Sequence, residues 1–124
     1  MGCFSCPPPT LECDKVLMNS GKVLNVRITR HYSLRPKRKY YVYRDSLDNY
    51  IQEGEDLHYF LNGQLKMREY FFEGKRRGLS ELWYFNGQKK GELFYKNGVL
   101  DGDVISWYNN GKIKKRKTIR NWIV

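Results

Sequence analysis

Tyr59-Phe60-Leu61-Asn62-Gly63, Trp83-Tyr84-Phe85-Asn86-Gly87 and Trp107-Tyr108-Asn109-Asn110-Gly111 are one phrase written three times, 24 residues apart. Each time two aromatic residues and one variable position precede Asn-Gly. A second turn signal keeps the same period, as Glu73-Gly74 and then Asn97-Gly98; at the third place Asn121 is followed by Trp122. Gly78 and Gly102 complete the pattern. Recurrence at this period marks stacked supersecondary units, each burying its surface against the next.

Asn-Gly between two extended segments is a strong hairpin signal, because both residues tolerate the positive φ of a type I′ turn. Residues 57–61 are therefore expected to pair with 64–72, 79–85 with 88–95, and 104–109 with 112–119. Residues 73–78 and 96–102 supply the return turns. No helix of ordinary length is foreshadowed by a 3.6-residue apolar period anywhere in the chain. The expected fold is all-β: a single-layer antiparallel meander of stacked hairpins.

Upstream the pattern weakens. Leu24, Val26 and Ile28 alternate with Asn25, Arg27 and Thr29, as a half-buried strand requires. Residues 33–39 read as a basic loop around Pro36, and Tyr40-Tyr41-Val42-Tyr43 as the next strand. Residues 45–56 are polar and read as a long turn, with Glu53, Glu55 and Asp56 as a solvated acidic cluster. With no 24-residue match evident here, residues 15–56 are read as a divergent β cap, the atypical terminal unit that stacked arrays need. The repeats are divided as 57–79, 80–103 and 104–124.

Residues 1–14 stand apart. Met1-Gly2-Cys3-Phe4-Ser5-Cys6 places Gly2 as a candidate N-myristoylation acceptor and Cys3 and Cys6 as candidate palmitoylation sites. The segment resembles the dual-acylation start of Src-family kinases, but it lacks the Ser or Thr usual at the sixth position, which here is Cys6. The bland reading is a set of free thiols, and Pro7-Pro8-Pro9 keeps the segment extended. Cys3, Cys6 and Cys13 have one zinc-like spacing but lack a fourth ligand at ligand distance, since His31 and His58 are remote and single. No metal and no cofactor is expected.

The chain has 124 residues, 15% of them aromatic, and a formal charge of +10. That charge is uneven. Residues 1–56 carry nine Lys/Arg against seven Asp/Glu, and residues 57–124 carry fourteen against six. The last thirteen residues hold six basic side chains and no acidic one. This favours anionic partners: lipid head groups, nucleic acid or acidic protein surface. The absence of a long apolar run and of a secretory leader pattern gives an intracellular, cytoplasmic protein as the expectation, placed peripherally at a membrane if acylated.

In a meander, equivalent residues of successive repeats recur on one face every second strand, roughly 10 Å apart. Tyr59, Trp83 and Trp107 form one aromatic column, and Phe60, Tyr84 and Tyr108 another on the opposite face. Lys66, Lys90 and Lys114 form a basic column, with Arg68, Glu92 and Arg116 two residues on. For the aromatics the structural reading is that stacked rings serve a thin sheet as its core; the functional reading is an exposed face for a partner. For the lysines the two readings are a solvated face and an anion-binding stripe. The candidate binding residues are Tyr59, Trp83, Trp107, Lys66, Lys90, Lys114 and Arg116.

The aromatic-aromatic-x-Asn-Gly core with Gly78 and Gly102 resembles the MORN (membrane occupation and recognition nexus) repeat over residues 57–124. Ser80 and Val104 replace the second glycine of the common form. The chain thus looks like the shorter variant found in bacterial antitoxins of the YwqK type, and in repeat proteins of giant DNA viruses. The resemblance implies a non-catalytic binding or scaffolding module engaging a protein partner or an anionic membrane surface. A toxin-neutralising role is the alternative, and nucleic-acid binding through the basic face ranks third. No phosphate-binding glycine loop, HExxH or GxSxG motif is present, so no catalytic residue is assigned. The strand expected at 112–119 is an open edge, and monomer and dimer both fit it.

Overall fold

The computed structural model describes residues 12–17 and 22–120. Among these there is no helix, and one antiparallel sheet takes up the chain. Its strands are β1 (Glu12–Leu17), β2 (Val23–Arg30), β3 (Pro36–Arg44), β4 (Tyr50–Tyr59), β5 (Leu65–Phe72) and β6 (Lys75–Arg76). Then come β7 (Gly78–Trp83), β8 (Lys89–Lys96), β9 (Val99–Leu100), β10 (Gly102–Trp107) and β11 (Ile113–Ile119). The order across the sheet is β1-β2-β3-β4-β5-β7-β8-β10-β11, with β6 also on β5 and β9 also on β8. Every strand thus pairs with its sequence neighbour, and the expected meander is the fold.

Two upstream expectations are corrected. The long turn at 45–56 is confined to 45–49, and β4 begins at Tyr50. The basic loop likewise ends early, because β3 starts at Pro36. Polarity misleads in both places: strands flanked by charge can bury carboxylates against cations across the ladder instead of apolar groups. The strand β4 also runs unbroken through residues 56 and 57, where the cap and repeats were divided. Gly54, Gly78 and Gly102, spaced 24 apart, all have positive φ, so the repeat's backbone signature reaches upstream of residue 57.

The Asn-Gly turns are not type I′. Phe60 N–H donates to Gln64 O (2.8 Å) and Gly63 N–H to Phe60 O (2.9 Å). The same pair of bonds closes 84–88 and 108–112. Only the glycine is left-handed (φ 89°, 89° and 90°), while the asparagines stay outside that region. This is the three-residue loop in which a type I turn runs into a left-handed residue. Asparagine is used for its side chain: Oδ1 of Asn62, Asn86 and Asn110 accepts the N–H two residues on, each at 3.0 Å. The type I′ chemistry belongs to the return turns, where Glu73-Gly74 (φ 50°, 81°) and Asn97-Gly98 (φ 51°, 83°) are both left-handed.

Turns 31–35 and 45–49 are closed by the same hydrogen-bond pair as 60–64. Leu34 (φ 71°) and Asp48 (φ 70°) stand where the repeats have glycine. At one end of the sheet the turns stack, each against its predecessor: Gly63 lies beside the Arg35 side chain, Gly87 beside Gln64, and Gly111 beside Gln88. Tyr84 Oη donates to Trp107 O (2.7 Å) and Asn86 Nδ2 to Asn109 O (2.9 Å). His31 Nε2 makes the corresponding contact to Tyr59 O at 3.0 Å.

The buried side chains divide the sheet. The apolar ones are Leu24, Val26 and Val42, all on β2 and β3. From β4 onward the buried side chains are Glu53, Asp56, Glu69, Ser80 and Glu81. The acidic cluster of β4 is therefore not a solvated loop: Glu53 and Asp56 are inside, Asp56 paired with Arg38 of β3 and Glu53 with Lys22 and the Glu73 N–H.

Candidate binding face

Register decides what each face carries. In the three repeat hairpins the ladder skips a residue: His58 faces Met67 and Tyr59 faces Leu65; Leu82 faces Gly91 and Trp83 faces Lys89; Ser106 faces Lys115 and Trp107 faces Ile113. The residues left over are Lys66, Lys90 and Lys114. Each lysine of the basic column is thus the extra residue of a β-bulge, and a bulge re-aims its side chain. The re-aiming brings the column to the face of Phe60, Tyr84 and Tyr108. Lys66 lies 5.7 Å from the Phe60 ring centroid, Lys90 5.7 Å from Tyr84, and Lys114 5.8 Å from Tyr108.

Two grooves run between successive lysine–ring pairs. The first, about 330 Å³, is lined by His58, Phe60, Lys66, Met67, Leu82, Trp83, Tyr84, Phe85 and Lys90. The second, about 220 Å³, repeats it one unit on with Leu82, Tyr84, Lys90, Gly91, Ser106 and Lys114, and Trp107 takes part in its wall. Phe60 and Phe85 close the first at the turn end by an edge-to-face contact at 5.4 Å. All three lysines are exposed at their tips. Each cation–ring pair contributes about 0.5–1 kcal/mol at such exposure.

The other predicted aromatic column has different company. The Trp83 ring is approached by Arg68 (5.7 Å) and Lys89 (5.8 Å), and both cations are committed to carboxylates. Arg68 Nη2 donates to Glu81 Oε1 at 2.6 Å, and Lys89 Nζ to Glu81 Oε2 at 2.5 Å and to Glu92. Burial pushes the Glu81 carboxyl up, but hydrogen bonds from Lys89 and Arg68 outweigh it and hold it below the usual range. Tyr59, Trp83 and Trp107 are half-buried. Lys66, Lys90 and Lys114 are therefore joined to Phe60, Tyr84 and Tyr108, residues absent from the expected set, while the Trp83 side of the sheet is a neutralised ion-pair ladder. Arg116 is exposed on the outermost strand.

A third charged cluster is structural. Asp56, 3% exposed, accepts from Arg38 Nε (2.9 Å) and Nη2 (2.8 Å), Gln52 Nε2 (2.8 Å) and lies 3.2 Å from His58 Nε2. Burial alone raises this carboxyl, but hydrogen bonds from His58, Arg38 and Gln52 prevail and hold it far below the ordinary carboxylate range. These contacts saturate it, leaving it no lone pair to serve a substrate.

Among the described residues no group of His, Cys, Asp and Glu is placed to hold a metal ion. No described helix is long and apolar enough to cross a membrane. Gly2, Cys3 and Cys6 lie outside the described residues.

Residues 76–97 and 100–121 each match the family model of the MORN repeat variant. Over these two units the chain carries MORN repeats of that variant. Such repeats are generally non-catalytic and commonly serve as binding or scaffolding modules. Comparison with curated proteins and with solved structures gives no match.

Proposed function

We propose that the protein is a non-catalytic binding module that engages an anionic surface, of a protein partner or a membrane, through the face bearing Phe60, Tyr84, Tyr108, Lys66, Lys90 and Lys114. One observation carries this reading: three bulges turn three lysines onto one aromatic face at nearly equal ring distances. A merely solvated lysine stripe needs no bulge. Successive lysines are spaced by two strands, roughly 10 Å, which spreads positive charge along a flat surface instead of focusing it on one small ligand. The rings beside them give the face an apolar component. If the N-terminal segment is acylated at Gly2, Cys3 or Cys6, the same face would lie peripherally on the cytoplasmic side of a membrane, where each nearby basic residue adds about 1 kcal/mol.

Vesicle co-sedimentation tests the reading. The full chain is expected to bind vesicles containing phosphatidylserine, or an immobilised polyglutamate surface, and to ignore phosphatidylcholine alone. Lys66→Glu/Lys90→Glu should reduce that binding by about tenfold or more at low salt. Unchanged binding by this double variant would rule out the face.

A further inference from the structure

We propose that β11 is a receptor for an extended acidic segment of a protein partner, which adds antiparallel to it as the next strand of the sheet. The proposal concerns an edge and does not rest on the lysine–aromatic face. It follows from what the sheet does at the two equivalent places inside itself.

The strands β5, β8 and β11 are the same strand of three successive units, and the first two each receive a following strand. On β5 the receiving residues are Met67 and Arg68, which face Leu82 and Glu81 of β7. On β8 they are Gly91 and Glu92, which face Ser106 and Ile105 of β10. One period on, they are Lys115 and Arg116, which face no strand among the described residues. Residues 113–118 are all exposed, and an exposed edge presents unpaired N–H and C=O groups that template another strand.

Two further features are repeated without a recipient. Tyr84 Oη and Asn86 Nδ2 reach across to carbonyls of the next unit, Trp107 O and Asn109 O. Their equivalents, the Tyr108 hydroxyl and the Asn110 amide, have no such acceptor among the described residues, although Asn110 Oδ1 closes its own turn. The edge thus offers backbone pairing and two side-chain donors at the spacing already used once inside the molecule.

Charge selects the occupant. Lys112, Lys114, Lys115, Arg116, Lys117 and Arg120 leave this edge without an acid. Pairing β11 with β11 of a second copy would set cation against cation, which is destabilising across a ladder. An acidic strand is complementary, and the internal precedent is Arg68, whose guanidinium takes Glu81 of the incoming strand at 2.6 Å and 3.1 Å. Arg116 is the residue equivalent to Arg68, so a carboxylate facing it reproduces a pair the sheet already makes.

The test uses the full chain and a synthetic peptide with the sequence of residues 78–86 carrying Ser80→Glu and Leu82→Glu. This peptide keeps Glu81 and adds carboxylates towards the lysines. Binding is measured by fluorescence anisotropy, beside the same peptide N-methylated at alternate amides. The unmethylated peptide is expected to bind and the methylated one, with identical charge, to fail. Arg116→Glu should weaken binding about tenfold or more, and a peptide with Glu81→Arg should restore it. Lys66→Glu/Lys90→Glu, which damages the face but not the edge, should leave peptide binding intact. Equal binding of the methylated peptide would reduce the interaction to non-specific charge and overturn the proposal. So would indifference to Arg116→Glu, loss of peptide binding in Lys66→Glu/Lys90→Glu, or a sedimenting dimer whose formation excludes the peptide. A dimer of that kind would assign the edge to a second copy.

Discussion

The strands β2 and β3 and the strands from β4 onward keep one backbone plan while burying opposite kinds of chemistry. In the first region Leu24, Val26 and Val42 are inside, and each such burial stabilises by about 1.5–3 kcal/mol. In the second there is no buried aliphatic side chain among the described residues; its interior positions are Glu53, Asp56, Glu69, Ser80 and Glu81. A one-layer sheet has no opposing layer to supply an apolar partner, so each strand must find its partners in its neighbours. Carboxylates bridged by Arg and Lys solve that problem locally: Asp56 with Arg38, Glu69 with Arg76, and Glu81 with Arg68 and Lys89. The teaching is that the repeated part is specified by polar pairing and turn stacking, and depends on the first region for apolar stabilisation.

Leu24→Ala tests that dependence most severely. It should cost about 2–5 kcal/mol. All three tryptophans (Trp83, Trp107 and Trp122) lie in the repeats, so their fluorescence reports on the distant region. In urea the tryptophan transition is expected to shift to lower denaturant with the far-ultraviolet signal. A tryptophan transition left unmoved would break the comparison by showing that the repeats stand alone.

Next in size is Asp56→Asn, at the junction of the two regions. The buried carboxylate joins β4 to Arg38 of β3, and the variant should lose about 1.5–3 kcal/mol at neutral pH. The sign of its pH dependence follows from the lowered carboxyl. A group that binds protons less readily folded than unfolded contributes fully above its unfolded pKa, about 4, and loses that contribution as the pH falls. Wild-type stability should therefore decline between about pH 5 and pH 2, and Asp56→Asn should flatten that decline. Parallel curves for the two proteins would deny the carboxylate this role.

Turn substitutions sharpen the comparison at a smaller scale. Gly87→Ala forces a side chain into the left-handed region at φ 89° and should cost about 1–2 kcal/mol, read from the thermal midpoint. Leu34→Gly relieves the same conformation in the first region and should gain up to about 1 kcal/mol. Equal and opposite signs would show one turn geometry serving both regions despite different residues. The smallest effect belongs to Tyr84→Phe, which removes the bond to Trp107 O and makes the second unit resemble the first, where Phe60 stands. It should cost about 0.5–1.5 kcal/mol, read from the thermal midpoint.

The sequence made the meander legible because hairpin signals at constant spacing leave few other topologies. It did not disclose which column the lysines join. Strict alternation counts Lys66, Lys90 and Lys114 as one position too far along, and one skipped residue in the ladder reverses the face. Bulges have no residue signature as sharp as a turn's. The same limit hid the roles of Asn62, Asn86 and Asn110, whose side chains work while the following glycine takes the unusual φ. Glu53 and Asp56 looked solvated because a carboxylate's partner across a sheet is named by register, and register is a long-range fact.

The stacked turns carry a consequence for how such a chain can change length. Because the contacts between neighbouring turns recur with the 24-residue period, as Gly87–Gln64 and Gly111–Gln88 do, duplicating a whole unit gives each of them an equivalent partner. The sheet then widens by about 10 Å, two strand spacings. Adding or losing a single residue within a unit has no such continuation: it would turn the lysines to the other face and put Gln64 or Gln88 out of step with the next glycine. The genetic grain of this molecule is therefore the 24-residue block, and its width is a quantity that can be counted.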